Sequence, residues 1–146
     1  MNVLIIACLA AVILIAGWAY GTAQRLHTLH IRVDSTLAAL EAALDRRAAV
    51  IAALEPAAAA AGARAESVPL VHGAMGKRWE AEAELAPWLK GEVCPQIASA
   101  QVRVDLARRF YNEAVADARA LHLAWPVRVL RLAGTAPLPE FADKEV

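Results

Sequence analysis

The first 24 residues contain no Asp, Glu, Lys or Arg, and Val3 to Tyr20 reads VLIIACLAAVILIAGWAY. An uncharged apolar run of this length spans a hydrocarbon layer as a single helix. Its nine Val, Leu and Ile residues, at roughly 0.3 to 0.6 kcal/mol each, favour insertion by about 3 to 5 kcal/mol. Trp18 and Tyr20 stand at its far end, where amphipathic rings sit among headgroups. The Gly21-Thr22-Ala23 stretch has the small residues of a cleavage site, yet no Lys or Arg precedes the run and it is longer than a signal-peptide core. Residues 1–24 are therefore expected to stay as a transmembrane anchor. Gly17 and Gly21 form a GxxxG pattern, which offers a homodimer through the anchor. Arg25 and Arg32 follow the span and only the terminal amine precedes it, which puts the amino terminus outside and the rest in the cytoplasm.

The remaining stretch, about 120 residues, has room for one compact domain. Leu26, Leu29, Val33, Leu37, Leu40, Leu44, Ile51 and Leu54 recur at helical spacing, and neither Gly nor Pro interrupts Thr22 to Glu55. The spanning helix is thus expected to run about 45 Å beyond the bilayer as a stalk. Pro56 ends it, and Gly62, Pro69, Gly73, Gly76 and Pro87 punctuate the middle of the chain. Two short helices are predicted there, about Pro56 to Ser67 and about Lys77 to Lys90, with Gly62 closing the alanine run of the first. Cys94-Pro95 reads as an N-cap and first helical position for a second long helix to about Leu123, striped by Ile97, Val104, Ala107, Tyr111, Ala114, Ala118 and Leu121.

Two long amphipathic helices joined by a short hairpin cannot bury their faces separately, so an antiparallel all-α four-helix bundle over residues 25–134 is expected. In that register Glu41 lies opposite Arg108. Residues 135–146, with Pro137, Pro139 and a charged end, are expected to form a disordered tail. Trp125 starts a short segment in which Arg128 and Arg131 share a basic face suited to anionic headgroups.

His30-Ile31-Arg32-Val33-Asp34, the pair Arg46-Arg47, and above all Arg108-Arg109-Phe110-Tyr111-Asn112-Glu113-Ala114-Val115 resemble the LemA family of bacterial membrane proteins. The last stretch is similar to an R-x-x-Y-N-x-x-V pattern on that family's final long helix. Trp125-Pro126, Gly134 and Phe141 fall where its proline-containing tail has comparable residues. Ser35 to Leu40 replaces the family's Trp-containing segment, and the middle hairpin is shortened. The resemblance implies an inner-membrane anchor with the amino terminus outside and an elongated cytoplasmic bundle. It implies no reaction, since the family's biochemical role is not established.

Chemistry in the sequence is sparse. Lys plus Arg and Asp plus Glu number 15 each, so no net field recruits nucleic acid. Cys8 and Cys94 have neither disulfide nor metal spacing. His27, His30 and His122 would meet if the long helices pair, but no Cys, Asp or Glu completes a metal set. Glu80, Glu82 and Glu84 are read as a solvated face, and no nucleophile elbow, phosphate loop or HExxH motif occurs. No enzyme and no cofactor is expected. Arg46, Arg47, Arg108 and Arg109, with Tyr111 and Asn112, are the candidate interaction residues, because arginine is enriched at docking faces. The expected role is a membrane-anchored scaffold or protein-interaction module; the alternative is an accessory subunit of a larger inner-membrane complex.

Overall fold

A computed structural model describes residues 2–90, 94–124, 127 and 138–142. Among these the protein is all-helical, with no strand. Helix α1 runs unbroken over Asn2–Leu54. A 3-10 turn at Pro56–Ala58 leads into α2, Ala59–Ser67, and α3 covers Met75–Ala83 before a second 3-10 turn at Ala86–Leu89. Helix α4 covers Pro95–Leu123.

The boundaries arise from backbone chemistry. Glu55 is extended because proline disfavours helical geometry at the residue before it, and Pro56 then opens the next turn. Cys94 is extended with Pro95 at the first helical position, though its side chain makes no capping hydrogen bond. Gly73, at φ 76°, supplies the left-handed residue that reverses the chain before α3.

The amino-terminal part of α1 is long and apolar enough to cross a membrane, and none of its most apolar window is buried against the protein. Beyond it, Leu26, Val33, Leu37, Leu40, Leu44 and Ile51 are buried, whereas Leu54 is exposed. Arg32 of α1 donates to Asp117 of α4, and Arg47 donates to Gln101. Val33, Leu37, Leu40 and Leu44 share one core cluster with Val104, Tyr111, Ala114, Val115 and Ala118, sealed by Leu70 and Met75. A second cluster joins Ala48 and Ile51 to Ala58, Ala61 and Ala65 of the α2 region, Ala81, Leu85 and Ile97.

Gly62 lies inside α2, within the helix expected over about Pro56 to Ser67, and an added Cβ there would stand 3.1 Å from the Ala52 Cβ and 3.2 Å from the Ala48 carbonyl oxygen. It is there because α2 presses its backbone against α1. Glu41 and Arg108 form no ion pair, contrary to expectation: Glu41 accepts a hydrogen bond from the Leu70 N–H, while Arg108 stands 3.6 Å from Asp105 one turn earlier. Of the tail expected to be disordered, residues 138–142 are held in place, with Pro139 and Ala142 buried, because their backbone groups find partners on α4.

Candidate functional site

Residues 46 and 47 are about 100° apart around α1, so one can face solvent while the other faces the protein. Arg46 is exposed. Arg47 is buried and committed: its guanidinium donates to Glu82 of α3 and to Gln101 of α4. Arg47 is therefore not a free interaction residue. Glu82, solvent-facing by the sequence reading, is also buried, because helical spacing places it one turn after Arg78 on the face toward α1. Arg78, fully buried, donates its Nε to Glu82 at 3.0 Å, one Nη to Asp45 at 2.8 Å and the other to the Val68 carbonyl at 2.9 Å. Two buried guanidiniums thus share one buried carboxylate and a half-exposed one, which balances their charge and ties α1, α3 and α4 together.

Tyr111 and Asn112 also turn inward. The Tyr111 hydroxyl donates to the Glu140 carbonyl at 2.7 Å, and the Asn112 side-chain oxygen accepts from the Ala142 N–H at 2.8 Å. Burial, then the carboxylates of Glu140 and Asp34, push the Tyr111 pKa up to about 12, so the phenol stays a donor. The Glu140 carboxylate accepts from the Gly73 N–H, and the Arg119 guanidinium lies 5.2 Å from the Phe141 ring centre. His72, without a partner by sequence spacing, approaches both Tyr111 and Asp34, at 3.4 Å each. Tyr111 and Asn112 clasp the carboxy-terminal segment rather than an external partner.

Nearer the apolar start of α1, the His30 and His122 rings meet edge to face with centres 5.4 Å apart. Burial and the neighbouring His30 lower the His122 pKa. His27 stays exposed, and among the described residues no three His, Cys, Asp or Glu side chains could hold a metal ion. Arg109 pairs with Glu113 along the surface of α4. An added Cβ at Gly17 or Gly21 would meet nothing within 4 Å. Trp125, Arg128 and Arg131 lie outside the described residues; within their segment Val127 is buried.

The feature sequence reasoning missed is a groove of about 470 Å³ between α1 and α4. Alanines form its floor, Leu106 and Phe110 its apolar wall, and Arg32, Arg46 and Arg103 its charged edges. Leu106 and Phe110 are each about half exposed. The signal was present: Val102, Leu106 and Phe110 repeat at four-residue spacing beside the core stripe of α4.

A scan against protein-family models, a search of curated proteins and a search of solved structures each found no match to this chain.

Proposed function

We propose that the chain is a LemA-like protein of the bacterial inner membrane, whose cytoplasmic antiparallel helical bundle serves as a docking module for another protein. The groove between α1 and α4 carries this reading. A folded chain that buries Tyr111 and Val115 on α4 yet leaves Leu106 and Phe110 in an alanine-floored groove presents apolar surface of the kind that marks interaction sites. The antiparallel arrangement is supported by the pairings of Arg32 with Asp117 and Arg47 with Gln101, which step in opposite directions along the two helices. Membrane residence is supported by the uncharged, unburied start of α1.

Reporter fusions at the carboxy terminus test the orientation: a fluorescent protein that matures only in the cytoplasm lights, and a periplasm-dependent phosphatase stays silent. The reverse pattern removes the proposal. A photocrosslinking amino acid at position 110 tests docking, because it traps a defined protein adduct in intact membranes whereas one at exposed position 60 does not. Equal labelling at both positions removes the docking role.

A further inference from the structure

The groove does not end at Arg46 and Arg103. A second concavity of about 410 Å³ shares both arginines and continues past Val50 to Pro95. Together they make one trough from Arg32 to Val50 along α1, about 27 Å at 1.5 Å per residue. That length matches an α-helix of about five turns. Ala39, Ala42, Ala43 and Ala107 give the middle of the trough a floor of single methyl groups, which lets another helix approach closely. Every charged residue that lines it, among the described ones, is an arginine. Arg32 is engaged by Asp117, while Arg46 and Arg103 have no ion pair among the described residues.

The charge and position of the trough select its occupant. A second copy of this chain docking face to face would bring Arg46 and Arg103 against their own counterparts, like charges that repel one another. Anionic headgroups are out of reach for most of it. Arg46 lies 23 residues beyond the end of the apolar stretch at Ala23, about 35 Å along the helix axis, several times the screening length of about 8 Å. The occupant left is a helix from another protein, bound by its apolar ridge and oriented by negative charge.

Resting on the docking role above, we propose that the trough binds an amphipathic α-helix of a partner protein whose apolar ridge is flanked by Asp and Glu. Acidic side chains on that helix meet Arg46 and Arg103, and its apolar ridge covers Leu106 and Phe110.

The test uses the full chain in phosphatidylcholine nanodiscs, panned against a displayed library of 18-residue amphipathic peptides that share a Leu/Ala ridge and carry Glu or Lys at random on the flanks. Ala42→Trp, at an exposed position on the trough floor, fills the site without touching the core and serves as counter-selection. The expected result is enrichment of Glu-flanked peptides, lost on Ala42→Trp and weakened about tenfold or more by Arg46→Glu or Arg103→Glu. Enrichment of Lys-flanked or mixed peptides, still lost on Ala42→Trp, overturns the acidic partner and leaves a docking groove. Enrichment of nothing, or equal enrichment on Ala42→Trp, overturns both. Self-association of the chain abolished by Ala42→Trp, or loss of peptide binding in phosphatidylglycerol nanodiscs, assigns the trough to a second copy or to lipid and overturns it as well.

Discussion

Replacing Glu82 with Gln removes the one fully buried negative charge of the Arg47–Glu82–Arg78 network. One carboxylate oxygen now accepts from Arg47 and the other from Arg78. Glutamine offers a single acceptor oxygen, so its amide N–H groups must face one of the guanidiniums, donor against donor. Asp45 remains beside Arg78, but its side chain is 43% exposed and Arg47 makes its own contacts elsewhere, with Glu82 and Gln101. A buried ion network that loses one partner is destabilised by about 3 to 5 kcal/mol, because an uncompensated charge stays in the interior. For a domain of this size that corresponds to a fall in melting temperature of about 10 to 20 °C.

Thermal unfolding of the full chain in detergent micelles, followed by tryptophan fluorescence, reads the effect, since Trp79 packs against the core beside this network. Asp45→Asn is the matched control and costs less than Glu82→Gln, because the asparagine oxygen still accepts from Arg78 and the charge removed was 43% exposed. The variant combining Arg47→Met, Glu82→Leu and Arg78→Met recovers most of the stability, since removing all the buried charges also removes their desolvation cost. A Glu82→Gln chain that melts within about 3 °C of the parent refutes the reasoning; so does a triple variant less stable than Glu82→Gln alone.

Tyr111→Phe leaves the Glu140 carbonyl without its phenol donor and costs about 1 kcal/mol, and Asn112→Ala frees the Ala142 N–H, so each variant speeds amide hydrogen exchange at residues 138–142 while sparing α1. Gly62→Leu drives a side chain into Ala52 and the Ala48 carbonyl, and is expected to cost about 1 to 3 kcal/mol in thermal unfolding. Since the folded-state pKa of His122 lies below its ordinary 6.5, the stability linked to its neutral ring is complete above pH 6.5 and is lost as pH falls through the lowered value. The melting temperature of the parent chain should therefore drop more steeply below pH 6.5 than that of His122→Leu.

The long helices are legible in the sequence because their signals are local: an uninterrupted apolar stripe for α1, a proline that fixes where α1 ends and another where α4 begins, and a second stripe for α4. The buried network is not. Glu80, Glu82 and Glu84 alternate, which suggests one solvated face, but alternation is a strand period; on a helix, residues two apart point about 200° from each other. The informative pair is Arg78 with Glu82, at i and i+4, yet that spacing reads the same on a solvated surface. What buries it is Arg47, 35 positions from Glu82 in sequence. Residues 138–142 look loose in the sequence for a related reason. Prolines and a charged end carry no periodicity, and the partners that hold them lie about 30 residues away on α4.

The pattern Arg108-x-x-Tyr111-Asn112-x-x-Val115 acquires a physical account from this arrangement. At about 100° per residue these four positions fall within an arc of about 100° on one side of α4. Within that arc Tyr111 holds the Glu140 carbonyl, Asn112 holds the Ala142 N–H, and Val115 joins Ala142 in the same buried cluster. Arg103, Leu106, Ala107 and Phe110 lie in a different arc, and the core residues Val104, Ala114 and Ala118 straddle the adjoining edges of the two. Helix α4 therefore turns one side to the core and the carboxy-terminal segment and another to the open trough. Tyr111 and Asn112 hold the segment the chain keeps against itself, and Phe110, turned about 100° from Tyr111 on the side opposite Asn112, points away from the clasp and lines the trough.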